Sequence, residues 1–464
     1  MTTGRIAYNP ALDGVRALAV VAVIWYHADV VGGGWLGVEV FFVLSGYLIT
    51  AILIVERDRS DKIDLVDFWR RRARRLLPGI GLLVLLVAAY VWWWPGVEPG
   101  QSLDNDLFGL LTYTSNWTTL AGDGYWQQFD DPSPLRHAWS LAVEEQFYIL
   151  YPLIAIVVLR SARRHWWLLG LATMALAWQI AASQWFSVER VYLGTDTRAF
   201  GLLAGAALAA WLVHRPMRAR LPGGVGLVVL AVLTVALGDA TSSTFLGPFQ
   251  LVVVASLIVV FDVATNTGGA AHRLLGVEPL RRVGRWSYGI YLFHWPILLA
   301  VDSQWAPSRL ALAVIVTAVT IPLAALSYRL IEGPIRAGAL SRLPSPTRWL
   351  APAGAMATVG VVAVVVAAAA ADDAATAEAV AGREIAVNSA APTTGVPATG
   401  EPTDTTIEST IDQTTAVTTD PVAAPSTTTS SPATAPPAAA PATTTTAPTT
   451  PATSPPTIAP TTTT

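Results

Sequence analysis

Cysteine is absent from this sequence of 464 residues, and charged residues make up only 13% of it. Without cysteine the chain has no disulfide, no thiolate metal site and no cysteine nucleophile. A soluble globular domain carries about 25% charged residues, so about half of the expected charge is missing. Lysine is nearly absent as well, because Lys62 is the only one among 29 basic residues. This composition excludes an ordinary soluble domain.

Apolar residues, by contrast, gather in long blocks. Each block has the length of a helix that spans the roughly 30 Å hydrocarbon core of a membrane, which takes about 20 residues. The blocks predict eleven membrane-spanning helices, near residues 11–30, 36–55, 76–95, 139–159, 166–186, 197–213, 223–239, 245–263, 287–302, 310–330 and 348–371. We therefore predict an all-α polytopic membrane protein.

The basic residues fall almost entirely on one side of these predicted spans. Loops on the side of the N-terminus hold 23 of them, whereas the opposite side, with the C-terminal region included, holds 5. Cytoplasmic loops are enriched in Lys and Arg, so this asymmetry predicts a cytoplasmic N-terminus and an extracytoplasmic C-terminal tail. If one span were added or removed, the loops after it would change sides, and the basic residues would no longer gather on one side of the membrane.

The composition changes abruptly near Ala371. Residues 372–464 are rich in Thr, Ala and Pro and contain no aromatic residue. Such a segment buries too little apolar surface to offset the entropy cost of ordering it, so we expect a disordered tail. We divide the chain into a membrane domain of about ten helices (1–340), an eleventh membrane helix with its preceding loop (341–371) and this tail (372–464).

Ionisable side chains inside the predicted spans are the first candidates for function, because each is costly in a membrane unless it is paired or hydrated. Arg16 and His27 lie about three helical turns apart in the first span, so they share one face at a distance of about 16 Å. A glycine-rich turn at 32–34 then brings Glu39 to the depth of His27. We expect Glu39, with Asp29 as the alternative, to orient the imidazole as a general base. The alternative is a purely structural role, in which His27 is buried and only forms a hydrogen bond with a neighbouring residue.

A second polar cluster opens the fourth span. His137, Ser140 and Glu144 follow i, i+3, i+7 spacing and share a helix face. Two adjacent glutamates, Glu144 and Glu145, are unusual at the start of a membrane helix. His137 and Glu144 are therefore further catalytic candidates. A polar network that caps the helix at the membrane interface explains the same residues equally well. His294 lies among aromatic residues beside a proline, and we expect it to be a packed structural histidine.

The loop before the third span contains a dense run of arginines, which are Arg70, Arg71, Arg72, Arg74 and Arg75. Membrane topology and binding of anionic lipids explain such a run on their own. Arginine also suits bidentate contacts with phosphate, which a donor such as acyl-CoA would need. Composition alone leaves both interpretations open.

Several segments, in order along residues 13–336, resemble the acyltransferase 3 family of integral-membrane acyltransferases. The first is an arginine followed by ten residues and a histidine, here Arg16 and His27. The others are 37–47, the arginine-rich stretch before 76–78, 139–148, 195–198, 284–288, 291–296 and 332–334. Each segment is weak alone, but together, in family order and at matching membrane positions, they are specific.

The resemblance implies transfer of an acyl group from a cytoplasmic donor, with acyl-CoA as the expected co-substrate. The acceptor would be a hydroxyl of an extracytoplasmic glycan or glycolipid at a bacterial-type plasma membrane. His27 would be the essential histidine and Arg16 its signature partner. The resemblance assigns donor binding to two arginines three residues apart, which are Arg72 and Arg75, with Arg71 and Arg74 as the alternative register.

Two features depart from the family pattern. Gly333 stands where a basic residue is usual. In many relatives the last membrane helix leads to a hydrolase-like domain, whereas this sequence continues into the Thr/Ala/Pro-rich tail. We expect any step performed by that domain to be supplied by another protein or to be absent.

A non-enzymatic function fits part of the pattern. A flippase or exporter of a lipid-linked glycan would also carry intramembrane charges, but the sequence shows no inverted repeat. An inactive scaffold that displays the tail is a third alternative. We expect acyl-CoA, a glycan acceptor and membrane lipids as partners, with no metal and no nucleic acid. The sequence leaves open the acyl group, the acceptor, the oligomeric state, glycosylation of the tail, and whether His27 acts as a base or carries the acyl group.

Overall fold

The structure is a computed structural model that describes residues 8–93, 103–122, 133–213 and 222–338. These residues form helices joined by short connections, with no strand among them. The first eight helices are α1 (Pro10–His27), α2 (Gly37–Ser60), α3 (Leu65–Trp93), α4 (Leu103–Thr112), α5 (Ser115–Ala121), α6 (Trp139–Val158), α7 (Arg164–Trp185) and α8 (Val188–Leu193). The others are α9 (Thr195–Leu212), α10 (Gly223–Ala236), α11 (Pro248–Thr265), α12 (Ala270–Leu275), α13 (Glu278–Trp305), α14 (Arg309–Ser327) and α15 (Gly333–Arg336).

A helix stands at each of the first ten predicted spans, namely α1, α2, α3, α6, α7, α9, α10, α11, α13 and α14. Within the described ranges, six helical stretches are long and apolar enough to cross a membrane, namely Gly34–Ser60, Leu65–Trp92, Arg136–Val158, Arg164–Trp185, Pro248–Thr265 and Arg309–Arg336. The predicted class, an all-α multi-pass membrane protein, is confirmed. The predicted eleventh span (348–371) and the tail (372–464) lie outside the described residues.

The two ends of the helix bundle differ in charge. We call the end where α2 finishes at Ser60 and α3 begins at Leu65 the arginine-rich end, and the other the opposite end. α1 runs from the arginine-rich end and finishes at His27, at the opposite end. α13 runs in the same direction, because its first turns lie against the start of α1 and its middle lies against the end of α1.

Glycines allow α1 to pack closely against both α12 and α13. Gly14 on α1 faces a backbone carbonyl of α12, and Gly284 on α13 faces the backbone carbonyl of Asp13. A Cβ atom at either glycine would collide with that backbone, and small residues of this kind allow membrane helices to pack closely. Because the two helices are parallel, this contact brings His294 alongside His27.

α2 and α9 cross in the same way. Gly46 on α2 faces a backbone carbonyl of α9, and Gly205 on α9 faces a backbone carbonyl of α2. Close approach of the two backbones leaves little room between the helices. The crossing sets the rotation of α2 about its axis and turns Glu39 toward Arg198 on α9.

Candidate active site

A basic cavity enters the bundle from the arginine-rich end. Its outer part is lined by five arginines, which are Arg16, Arg72, Arg75, Arg285 and Arg336. Its inner part continues between α1, α2, α3, α6 and α13 and reaches Ser140 and Tyr291. Arg16, Arg72 and Arg75 line both parts, so the two parts adjoin at these three side chains, and we describe them together as the basic cavity.

The structure separates the two arginine pairs that sequence spacing left open. Arg72 and Arg75, one helical turn apart on α3, both line the cavity. Arg71 points elsewhere and forms an ion pair with Glu56 at 2.7 Å. Arg74 is not among the described lining residues of either part. Of the two pairs, Arg72 and Arg75 are the pair that lines the cavity.

Glu144 belongs to this cavity. Its carboxylate accepts hydrogen bonds from the hydroxyls of Ser45 and Tyr148, and it lines the inner part together with Arg16. The ring of Tyr148 also lies 5.0 Å from the guanidinium carbon of Arg72, within cation–π range. The carboxylate and the two hydroxyls that donate to it therefore lie beside the arginines, toward the arginine-rich end.

Three histidines from three segments lie together at the opposite end. Nδ1 of His27 is 3.0 Å from Nε2 of His294 on α13, and their rings stack with centroids 5.1 Å apart. The ring of His137, in the turn before α6, lies 5.4 Å from that of His294. Trp295 packs against His27 at 4.9 Å. We call His27, His137 and His294 the histidine cluster.

A backbone carbonyl determines which ring nitrogens carry protons in this cluster. Nδ1 of His294 lies 2.7 Å from the carbonyl oxygen of Tyr291, and because a carbonyl only accepts, Nδ1 is the protonated nitrogen. In the neutral ring, Nε2 of His294 is then an acceptor, and Nδ1 of His27 donates to it. Nε2 of His27 is left without a proton. Such a nitrogen can take up a proton or attack an acyl carbon.

Pro296 explains how His137 is held. Proline has no N–H, so the carbonyl of Leu292, four residues earlier, lacks its usual helical donor. Nε2 of His137 lies 3.0 Å from that carbonyl oxygen and donates to it. The predicted shared face of α6 therefore does not bring His137 and Glu144 together, because His137 lies in the turn before the helix and bonds to α13. The catalytic roles of both residues stay predictions.

One side chain stands between the basic cavity and the histidine cluster. Tyr291 lines the inner part of the cavity, and its ring lies 5.5 Å from the ring of His294. Its hydroxyl donates to the carbonyl oxygen of His137 at 3.0 Å and accepts from the hydroxyl of Ser140. His27 is not among the described lining residues of either part, and it contacts His294, which packs against Tyr291.

The predicted pairing of Glu39 with His27 is wrong. The carboxylate of Glu39 lies 2.8 Å from the guanidinium of Arg198, and both side chains are 0% exposed. Four aromatic rings surround this guanidinium at 4.9–5.8 Å, namely Phe42, Trp139, Tyr192 and Phe249. Asp29, the alternative partner, lies at the surface 3.6 Å from Arg309. The glycine crossing of α2 and α9 directs Glu39 away from the histidine cluster.

Sequence reasoning missed two residues of the site. His294 was expected to have only a structural role, and Tyr291 was not singled out as a functional residue. Both lie on α13 three residues apart, so they share one face. The available signal was Pro296, because a proline inside a membrane helix exposes a carbonyl to which a nearby polar side chain can bond.

The histidine cluster is not built as a metal site. The part of the chain that the structure describes contains no group of three or more His, Asp or Glu side chains that could hold a metal ion. Two of the cluster's ring nitrogens bond to backbone carbonyls and two bond to each other. The hydrogen bonds of the cluster instead fix ring orientation and proton position.

The chain has close curated relatives. It is 35% identical over 350 residues to the peptidoglycan O-acetyltransferase OatA of Listeria monocytogenes, covering 71% of this chain and 56% of that protein. It is 35% identical to the O-acetyltransferase OatA of Staphylococcus aureus (71% and 57% covered) and 36% identical to the putative peptidoglycan O-acetyltransferase YrhL of Bacillus subtilis (71% and 55%). The chain thus spans just over half the length of these relatives.

The family comparison covers most of the site. The acyltransferase domain family matches residues 9–329, a range that includes the arginines of α3, the histidine cluster and Tyr291. No solved structure matches the chain. The resemblance carried by the sequence motifs is therefore confirmed, and the chain belongs to this family of membrane acyltransferases.

Proposed function

We propose that this protein transfers an acyl group from acyl-CoA, bound in the basic cavity, to a hydroxyl of an extracytoplasmic glycan. The position of His27 carries the proposal. The hydrogen bond from Nδ1 to His294 leaves its Nε2 free of a proton, and His294 in turn packs against Tyr291, which lines the cavity. A thioester entering from one end and a hydroxyl arriving at the other would meet at this nitrogen.

The cavity supports a donor that carries phosphate. Arg16, Arg72 and Arg75 place three guanidinium groups around one passage, and guanidinium groups make strong paired contacts with phosphate oxygens. Acyl-CoA has phosphates at one end and its thioester at the end of a long arm. In this proposal the arginines hold the phosphates, and the arm runs through the inner part toward Tyr291. The positive-inside rule places the mouth of the cavity in the cytoplasm, where acyl-CoA is made.

The reaction uses the free nitrogen of His27. Nε2 takes the proton of the acceptor hydroxyl, the hydroxyl oxygen bonds to the acyl carbon, and the carbon–sulfur bond breaks. The departing CoA thiolate takes up a proton. In the two-step alternative, Nε2 attacks the acyl carbon first, and the acceptor hydroxyl then displaces the imidazole. Both routes yield an ester and free CoA, and both need the same nitrogen.

The acceptor in this proposal is peptidoglycan and the acyl group is acetyl. Two of the relatives are named as known or putative peptidoglycan O-acetyltransferases, which supports both choices. The histidine cluster lies at the opposite end of the bundle, which the charge asymmetry assigns to the outside of the membrane. A wall glycan would reach His27 from that side.

Acetyl transfer by the purified full-length protein tests the proposal. The protein in lipid nanodiscs receives labelled acetyl-CoA and a soluble peptidoglycan fragment, and the acetylated product is measured. His27→Ala should lower the rate about 10²–10⁴-fold, the usual contribution of a positioned base. His165→Ala is the matched control, because His165 on α7 packs against Trp211 and lies outside the site. Its rate should equal that of the wild type.

Two results would overturn the proposal. The first is a His27→Ala protein that remains folded and transfers acetyl groups at the rate of the wild type. The second is a wild-type protein that carries a lipid-linked glycan across the bilayer without consuming acetyl-CoA, which would make it a flippase. Mass analysis of peptidoglycan from cells with and without the protein identifies the acyl group directly.

A further inference from the structure

The mouth of the basic cavity carries a second set of basic residues, separate from Arg72 and Arg75. This outer basic set consists of His272 on α12, Arg285 on α13 and Arg336 on α15. All three line the outer part of the cavity, and none lines the inner part. We propose that the outer basic set binds the 3′-phosphate at the nucleotide end of CoA, an inference that rests on the proposed function.

The charge of the outer part fits a ligand with several phosphates. Asp13 is the one carboxylate among its described lining residues, against five arginines. Asp13 accepts a hydrogen bond from Tyr8 at 2.6 Å and lies 3.7 Å from Arg16, so it offsets a single positive charge. The arginines of the outer part therefore exceed its carboxylate by about four positive charges. A phosphomonoester carries close to −2 near neutral pH, and the diphosphate of CoA adds about two more negative charges.

The arginines of the outer basic set keep most of their charge for a ligand. Glu278, the acidic neighbour of Arg285, lies 2.8 Å from each of two other arginines on α13 but 3.4 Å from Arg285. The guanidinium carbon of Arg336 lies 5.6 Å from the centre of the Tyr328 ring. A ring at that distance orients a guanidinium without neutralising it. Both arginines therefore remain available to an anion.

The place of each phosphate along the cavity follows from its distance from the thioester in the CoA molecule. The thioester arm needs the inner part, so the diphosphate at the start of that arm lies with Arg72 and Arg75, where the two parts join. The 3′-phosphate is attached to the ribose beyond the diphosphate, further from the thioester. It therefore lies nearer the mouth, where the outer basic set provides the positive charge.

Dephospho-CoA, which lacks only the 3′-phosphate, makes the inference testable. Binding of CoA and of dephospho-CoA is measured on the full-length protein in nanodiscs of zwitterionic lipid. The wild type should bind CoA at least about tenfold more tightly, the effect of one or two charge-assisted hydrogen bonds. The R285Q/R336Q double variant should bind both ligands alike. Each single variant should lose part of the preference, which keeps the test valid if the double variant is unstable.

Two controls separate this inference from other failures. Arg282→Gln removes an arginine that is paired with Glu278 at 2.8 Å and is not among the described lining residues, so it should keep the preference for CoA. His27→Ala should also keep it, because binding does not require the transfer step. A folded His27→Ala protein that keeps both the preference and the wild-type rate of transfer would thus contradict the proposed chemistry and leave the nucleotide site intact.

An anionic lipid headgroup offers the same phosphate chemistry, so a parallel series uses nanodiscs that contain anionic lipid. If the outer basic set binds CoA, the preference for the 3′-phosphate persists in both lipids and disappears in the double variant. The inference is overturned if wild-type protein binds CoA and dephospho-CoA equally. It is also overturned if the double variant keeps the preference and instead loses only a dependence on anionic lipid.

Discussion

Nδ1 of His27 and Nε2 of His294 lie 3.0 Å apart, although 267 positions separate the two residues in the chain. The contact exists because α1 and α13 run parallel and meet closely where Gly284 faces the backbone of Asp13. It decides which nitrogen of His27 is free of a proton. The chemistry assigned to His27 therefore depends on a residue contributed by a distant helix.

The first prediction concerns His294 as the residue that positions His27. His294→Phe removes the nitrogen that accepts from Nδ1 of His27, so the ring loses its fixed tautomer, and acetyl transfer should fall about 100-fold. His294→Gln keeps an acceptor and should retain more activity than His294→Phe. Transfer rates and KM for acetyl-CoA are measured for both variants. KM should stay unchanged, because His294 is not among the described lining residues of the donor cavity.

Equal rates for these two variants would contradict the positioning role. A ring that serves only for packing would be replaced better by Phe than by Gln, because the site is fully buried. The order of the two activities therefore separates a positioning role from a structural one.

Some of this architecture could be predicted from the sequence and some could not. Helix positions followed from the length of apolar blocks, because a membrane sets a minimum span for each helix. The family motif predicts that two arginines three residues apart on α3 line a cavity. Which pair does so, Arg72 and Arg75 or Arg71 and Arg74, depends on the rotation of α3 about its axis. That rotation depends on which face of α3 packs against neighbouring helices, and apolar residues surround a membrane helix on most sides.

The rotation of α2 also explains why the partner predicted for Glu39 was wrong. The sequence predicts that its depth in the membrane is close to that of His27, because a short turn joins the two helices. The direction of its side chain is set by contacts of Gly46 and Gly205 with the opposing backbones. Arg198 lies on α9, and no local pattern connects it with Glu39. Pairings between distant helices of this kind are not encoded in hydropathy.

The second prediction treats Tyr291 as the barrier between the donor cavity and the histidine cluster. Tyr291→Phe keeps the ring but removes the hydrogen bonds to Ser140 and to the carbonyl of His137. A loosened ring would admit water to the thioester. Hydrolysis of acetyl-CoA without acceptor should therefore rise several-fold, about the effect of losing one or two hydrogen bonds. Release of free acetate by the purified protein measures it.

Two further variants calibrate that result. Ser140→Ala removes one of the two hydrogen bonds and should cause a smaller increase in hydrolysis. Tyr288→Phe is the matched control, because Tyr288 also lines the inner part but donates to the carbonyl of Leu76 instead. If Tyr288→Phe and Tyr291→Phe raise hydrolysis equally, Tyr291 has no special role as a barrier.

The third prediction concerns the buried ion pair of Glu39 and Arg198. Removing one partner leaves an unpaired charge among apolar side chains, so Glu39→Gln or Arg198→Leu should lower the free energy of unfolding by about 3–5 kcal/mol. The double change Glu39→Leu with Arg198→Leu should cost less than the two single changes combined. Unfolding in mixed detergent micelles measures each value.

A pair at the surface provides the comparison. Asp302 and Arg309 are partly exposed and lie 3.1 Å apart, so Asp302→Asn should leave the unfolding free energy nearly unchanged. A stable Glu39→Gln protein with reduced acetyl transfer would contradict the structural role and return Glu39 to the catalytic group.

The last prediction uses the absence of cysteine to determine the orientation in the membrane. A single introduced cysteine is the only thiol in the chain, so labelling reports one position without background. Ser60 lies at the arginine-rich end and Ser303 at the opposite end, and both are exposed. In intact spheroplasts a membrane-impermeant maleimide should label Ser303→Cys, whereas Ser60→Cys should react only after lysis, because the positive-inside rule places the arginine-rich end in the cytoplasm. The unmodified chain is the control and should stay unlabelled. Labelling of Ser60→Cys before lysis would reverse the orientation and place the basic cavity on the side of the membrane without acyl-CoA.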